Sequence, residues 1–328
     1  MNYIDIIIII TYLVLIFGVG IYTRRYVEDF SDFMVAGRNV NLSLSVVTML
    51  GTELGLITVM YNAQTGARGL FASFHIGLAA FAVTIIIGLT GFVVVKLRSL
   101  RVKSIPEYYQ LRFGKRVRVL GAVILVMGGI FNMGLFLKIG AIFIQNIFGI
   151  EGDDTLLVVI MFFLLLLVLI YTISGGMISV IVTDYIQYVV LSIGFMFAVY
   201  YSINTLGWNN LFTALENIEL DGRKIPYDSI YNPIKNMGPA YISWQIVLGF
   251  VSAVIWPTAI TKALSIKDVK MVKKQYMWSS LSFLIRFIIP CFLGICAFIY
   301  FNTEPNILMG YFIQSICFGK KNVSTSKW

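Results

Sequence analysis

Residues 155–203 read TLLVVIMFFLLLLVLIYTISGGMISVIVTDYIQYVVLSIGFMFAVYYSI. Two apolar stretches lie on either side of Gly175-Gly176, each about the 20 residues that a helix needs to cross the hydrocarbon core of a bilayer. Lipid offers backbone groups no partner, so only helices or closed barrels cross it. Barrel strands alternate polar and apolar residues over about ten positions. These stretches are continuously apolar, so they are helices, and the glycine pair is expected to make a tight turn between them. Thr183, Asp184 and Gln187 in the second stretch fall on one helical face, because three- and four-residue spacings coincide there. Asp184 lies about one and a half turns into the helix. An acid at that depth attracts a cation moving between the membrane centre and the cytoplasm.

The same pattern recurs along the chain. Expected spans are about 3–22, 42–65, 70–95, 119–149, 155–174, 178–203, 241–261 and 277–300. The composition agrees: of 328 residues 59% are hydrophobic and 12% charged, with a mean hydropathy of +0.86. Soluble domains carry roughly 45–50% apolar and about 25% charged residues, so a soluble globular reading is excluded. The net charge of +9 does not point to nucleic acid, because the basic residues are confined to certain loops. With alternate loops on opposite sides, sixteen Lys and Arg fall in the segments 24–38, 96–118 and 262–274, against four at Arg68, Arg223, Lys224 and Lys235. Cytoplasmic loops carry such an excess, which places the first three segments inside and the N-terminus outside. The leading sequence MNYIDIIIIITYLVLIFGVGIYTRR starts acidic and runs long, so it reads as a retained helix and not as a cleaved signal. The cysteines Cys291, Cys296 and Cys317 show neither metal spacing nor a disulfide framework.

The basic loop 96–118 holds Pro106 and is expected to form a short helix on the inner surface. The polar loop 204–240, with Pro226, Pro233 and Pro239, reads as a solvated outer connector, or alternatively as an outer lid. Beyond 300, residues 306–318 are apolar but too few to cross, and GKKNVSTSKW at 319–328 closes the chain as a polar stretch, so 301–328 is expected to be a tail apart from the transmembrane domain.

Ionisable residues at membrane depth are costly and are functional candidates. Glu53 sits mid-span in VVTMLGTELGLITVMY, flanked by Gly51 and Gly55. Glycine weakens the helix, so the backbone there can open and free carbonyls toward a cavity. A carboxylate beside an unwound segment suits a cation, a proton or a polar solute. His75, the only histidine, lies in FASFHIGL, and Lys138 in FNMGLFLKIG. His75 either touches solute, relays protons or hydrogen-bonds a neighbouring helix, and Lys138 is either a solute contact or an ammonium that pairs or snorkels. The sequence shows no catalytic nucleophile paired with a base, no metal cluster and no phosphate-binding glycine loop, so neither an enzyme nor a resident cofactor is expected.

The segment 175–187, a Gly-Gly turn followed by a short apolar stretch and then Thr-Asp and Gln, resembles the sodium:solute symporter family. Three further stretches agree in order: DFMVAGRNV at 32–40, IPEYYQLRFGKRVR at 105–118 and ALSIKDVKMVKKQ at 263–275. The resemblance implies an all-α polytopic membrane protein with the inverted-repeat, leucine-transporter-like fold of five plus five core helices and one leading helix. It implies sodium-coupled symport of a small polar organic solute across the plasma membrane by alternating access, with sodium as the coupling ion and the lipid bilayer as surroundings. By position, Val47 and Leu50 would give backbone carbonyls to sodium, Asp184 would lie on the ion's inward path, and Glu53 and Leu54 would face solute; His75 and Lys138 are further candidate solute contacts from their residue types alone. Leu54 stands where the family often has a polar residue, and His75 where sugar-transporting members have an acid; both weigh against a sugar. Thr261-Lys262 stands where the family commonly has Gln-Arg. The span 277–300 matches the seventh core helix, and the chain is expected to lack helices eight to ten and the hydroxyl ligands that the eighth supplies. Two alternatives stay open: a sensory or scaffold membrane module derived from a transporter core, and coupling to protons through Glu53.

Overall fold

The computed structural model describes residues 3–149, 154–217, 219–220, 223–224 and 226–303. The expected tail lies outside the described residues from 304 onward. Among the described residues the elements are helical apart from one antiparallel pair of two-residue strands, Glu219–Leu220 with Arg223–Lys224, and an isolated parallel bridge between Val40 and Ile266. In chain order the helices are α1 Tyr3–Tyr22, α2 Phe30–Val35, α3 Leu42–Glu53, α4 Leu56–Gly69, α5 His75–Thr90, α6 Val94–Ser99, α7 Ile105–Phe113, α8 Lys115–Phe148, α9 Asp154–Leu206, α10 Trp208–Asn217, α11 Tyr227–Tyr231, α12 Pro233–Met237, α13 Pro239–Ile255, α14 Pro257–Leu264 and α15 Val269–Thr303.

Among the described residues, five helical runs are long and apolar enough to cross a membrane: Ile6–Tyr26, Leu56–Thr90, Lys115–Phe148, Thr172–Leu206 and Val269–Asn302. The bent pair α13–α14 makes a sixth, and α3 and Asp154–Ile170 are shorter apolar helices. The helices are interrupted at three places, each with a local cause; the first falls inside a stretch expected to be one span, and the other two fall at the joints between expected spans. The stretch expected to be one span from 42 to 65 is broken at Leu54-Gly55, where Leu54 takes φ −95°, ψ 68° after its N–H closes the last turn on the Leu50 carbonyl. The helix after it is interrupted at Leu70, which has φ +50°. The run α9 is two helices joined at Gly176, with φ 52°, ψ −144°. A Cβ added at Gly176 would come within 2.6–2.9 Å of Phe33, so glycine is needed there both for its backbone and for its lack of a side chain.

The chain forms two compact units. The first holds residues 1–57, 80–191 and 248–283. Its apolar core joins Val35, Met49, Ile87, Leu97, Ile260, Leu264 and Tyr276, among others. Backbone and capping bonds fix its ends. Asn41 caps α3 by accepting from Leu44 N–H, and Ser104 caps α7, where Pro106 occupies the first turn. The helix α13 stops at Trp256 because Pro257 has no N–H to give to the Ala253 carbonyl. The hydroxyl of Tyr276, which is fully buried, donates to that carbonyl at 3.1 Å. The loop after α14 is tied on two sides. Val40 exchanges backbone bonds with Ser265 and Lys267, and the buried Arg98 guanidinium donates to the carbonyls of Ile266 and Lys267 at 2.7–3.1 Å.

The second unit holds, among the described residues, those of 58–79, 192–247 and 284–303. Within it, the segment read as a solvated connector is folded: Leu211, Leu215 and Ile230 are fully buried against Leu70, Ile295 and Ile299. The helix α10 is amphipathic, and its apolar stripe was hidden in the sequence by the polar residues that surround it. Close backbone approach is built in by glycine: a Cβ at Gly66 would fall 2.1 Å from the Cys291 carbonyl oxygen, and one at Gly294 would fall 1.9 Å from that of Ala63.

Large apolar side chains are exposed on the long helices, Phe131 at 73% and Met196 at 73% for example. A water-soluble monomer does not carry such continuous apolar surface; lipid is the solvent that suits it.

Candidate functional site

The first unit brings four polar side chains to one buried place. Asp184 Oδ2 accepts from Thr48 Oγ1 at 2.8 Å, from Thr52 Oγ1 at 2.5 Å and from Lys262 Nζ at 2.7 Å. Lys262 Nζ also donates to Thr48 Oγ1 at 2.9 Å. Lys262 is 3% exposed and Asp184 7%. Each member sits where local structure puts it. Thr48 and Thr52 are four residues apart, so they share a face of α3. Gly51 lets that face close on α9, since a Cβ there would lie 2.6 Å from the Asp184 carbonyl oxygen. Lys262 is presented by α14, whose start is set by the Pro257 break. A buried charge without a partner is strongly disfavoured; here an opposite charge and two hydroxyls satisfy the carboxylate oxygen.

Two helix breaks border this cluster, Leu54-Gly55 between α3 and α4 and Trp256 between α13 and α14. Thr258 Oγ1 donates to Glu53 Oε1 at 2.9 Å and links the two breaks. Carbonyls at the C-terminal end of a helix lack intrahelical partners and carry partial negative charge. A helix interrupted in this way therefore offers oxygen dipoles to a cation. Beside the first break lies a cavity of about 390 Å³ lined by Tyr12, Gly51, Leu54, Gly55, Gln187 and Tyr188, with others. Its size is within the range of small-molecule sites, roughly 300–1,000 Å³.

The residues singled out from the sequence fall as follows. Asp184 is at the centre of the cluster. Glu53 and Leu54 are at the first break; Leu54 is buried and lines the cavity. Val47 lies inside the regular part of α3, and the Leu50 carbonyl takes the bond that closes that helix. Of the face 183–187, Thr183 turns back on its own helix, to the Ser179 and Val180 carbonyls, while Gln187 reaches the cavity. Lys138 is exposed on α8. His75 belongs to the second unit. Its Nδ1 contacts the Ala72 carbonyl oxygen at 2.6 Å, and its ring meets Tyr241 edge-on. There Tyr61 and Tyr241 hydroxyls lie 3.1 Å apart and Gln245 Nε2 donates to both. Sequence reading missed Thr48, Thr52, Thr258 and Lys262 as site residues. Lys262 was counted with the inner-loop cations. The signals available were the threonine pair at four-residue spacing and a lysine only five residues after a Trp-Pro break.

A helical protein with several membrane-length spans, two broken helices and a buried carboxylate–hydroxyl cluster at the breaks is a multi-pass membrane protein with an internal polar site. A family model described as "Sodium:solute symporter family" matches residues 33–318, and the chain belongs to that family. Sodium-coupled monocarboxylate transporter 2 of Bos taurus is 23% identical over 91% of this chain and 49% of its own length. Sodium/glucose cotransporter 4 of Danio rerio is 28% identical over 62% of this chain and 31% of its own. The fold is similar to the substrate-bound, outward-open structure of a Na⁺-coupled sialic acid symporter, with a TM-score of 0.80, 20% identity and coverage of 97% of this chain and 66% of that one. The chain therefore spans about half the length of the first of these relatives.

Proposed function

We propose that the chain serves sodium-coupled symport of a small polar organic solute by alternating access. The observation that carries this reading is the meeting of two broken helices at a buried cluster of carboxylate, ammonium and hydroxyl groups, the kind of place in which carrier folds hold ions and solutes near the bilayer midplane. Family membership supports it, as do relatives named as sodium-coupled transporters.

In this reading sodium binds at the C-terminal end of α3, where Val47 and Leu50 offer the second lone pair of their carbonyls and the helix end adds its dipole. Asp184 lies on the ion's way inward. Its carboxylate draws the cation from the site at the break toward the cytoplasm. Solute binds beside the break, against Leu54 and Glu53. Glu53 is held by Thr258 on α14, so solute or sodium that alters Glu53 is felt at the second broken helix. Within the other unit, taken by itself, His75 with Tyr61, Tyr241 and Gln245 forms a second polar group able to bind solute. Lys138, exposed on its helix, snorkels toward headgroups. In this reading the protein sits in the plasma membrane, as the family resemblance implies, and the basic segments 24–38, 96–118 and 262–274 argue for an N-terminus outside.

The test is uptake into proteoliposomes with an imposed sodium or proton gradient, using a monocarboxylate, glucose and sialic acid as labelled solutes. Uptake of one solute that rises with inward sodium is the expected result. Uptake that follows only the proton gradient would favour coupling through Glu53 instead, and uptake indifferent to both would overturn the reading.

A further inference from the structure

We propose that the Lys262 ammonium is a tethered cation that competes with sodium for Asp184, so that the ion reaches this carboxylate only when Lys262 leaves it. The inference rests on Asp184 lying on the sodium path and adds a residue that sets when that path is open.

The argument starts from the ligands. The ammonium contacts Asp184 Oδ2 at 2.7 Å and Thr48 Oγ1 at 2.9 Å, and Thr52 donates to the same carboxylate oxygen. One anionic oxygen and neighbouring hydroxyls are hard oxygen donors, the set that a small hard cation takes. Lysine's ammonium fills the place as a compact point charge, without the planar fork of a guanidinium. With Lys262 in place the charge of Asp184 is already balanced. A sodium ion arriving beside it would set two positive charges against one carboxylate in a buried setting, where like charges repel far more than in water.

The position of Lys262 allows it to leave. It stands on α14, a helix of eight residues that begins at the proline break, while Asp184 is on α9 and Thr48 on α3. Movement of α14 against the other two separates the pair without unfolding any helix. The ammonium is carried on a flexible four-carbon stem, and the neighbouring carboxylate of Glu53, bonded to Thr258 on the same helix, offers the arriving ion a second negative charge. A brace that only held α3, α9 and α14 together would be indifferent to sodium.

The purified protein is tested in detergent by the sodium-dependent rise of its unfolding temperature, with choline replacing sodium at constant ionic strength. The comparison is between wild type, Lys262→Met, Lys262→Gln, Lys262→Arg and the double variant Lys262→Met with Asp184→Asn. Lys262→Gln keeps a donor toward Asp184 and Thr48 and covers the case in which Lys262→Met does not fold. Expected are an apparent sodium affinity at least about tenfold tighter in Lys262→Met or Lys262→Gln, the equivalent of about 1.4 kcal/mol, wild-type affinity in Lys262→Arg, and loss of the gain in the double variant. A wild type that responds to sodium, with folded Lys262→Met and Lys262→Gln proteins of unchanged affinity, overturns the competition and leaves the sodium reading standing. No sodium response in any of the folded proteins overturns the sodium reading itself.

Discussion

Asp184 and its three donors give the sharpest expectations at the scale of single residues. Asp184→Asn removes the charge that Lys262 faces and leaves a buried ammonium poorly compensated. Breaking a buried pair on one side costs about 3–5 kcal/mol. The variant is expected to lose thermal stability by that order, and restoring neutrality with Lys262→Met in the same chain should recover most of it, as read by unfolding temperatures of the three proteins. A double variant no more stable than Asp184→Asn alone would contradict the pairing. Thr48→Val removes one hydroxyl from both partners and should cost about 1–3 kcal/mol, the range for leaving buried polar groups unsatisfied. Glu53→Gln keeps the bond to Thr258, because an amide oxygen also accepts, while it removes the charge. Uptake with wild-type sodium and pH dependence would show that Glu53 only braces the two breaks.

At the scale of elements, the helix interruptions matter most. Pro257 ends α13 and leaves the Ala253 carbonyl for Tyr276; Tyr276→Phe should therefore destabilise the first unit by about 1–3 kcal/mol without changing helix content. Gly176 joins the two halves of α9 in a conformation that a side chain resists, with Phe33 at contact distance. Gly176→Ala is expected to cost at least about 1–3 kcal/mol from backbone strain, with the clash against Phe33 in addition, measured as a fall in unfolding temperature. The sequence announced this joint through its glycine pair. It announced the break at 54–55 through Gly51 and Gly55, although Gly51 serves chiefly to bring α3 onto Asp184. It gave no warning of α10, whose buried leucines lie four residues apart in a segment that reads as polar overall.

For the whole molecule, long apolar helices with exposed side chains fit a chain that crosses the bilayer several times. On the proposed orientation, cysteines introduced at Lys103 and Lys274 in intact cells should react with membrane-permeant maleimides and be protected from impermeant ones, and a cysteine at Lys235 should react with both. Labelling of Lys103 and Lys235 positions from the same side would refute the orientation.

The sequence by itself determined the solvent of this protein, because apolar blocks of membrane length have no other stable setting, and it determined the family, because four ordered motifs carry it. It also marked Asp184, since an acid inside such a block needs a reason to be there. Which partner answers that acid was decided only by tertiary structure. Thr48, Thr52 and Lys262 come from helices 78 to 136 residues away along the chain, and the Trp-Pro break five residues before Lys262 marks the start of a helix without naming the acid its lysine meets. Its role follows from where α14 begins and from how closely α3 packs on α9. Pairing across such separations depends on packing, and periodicity along one helix does not contain it.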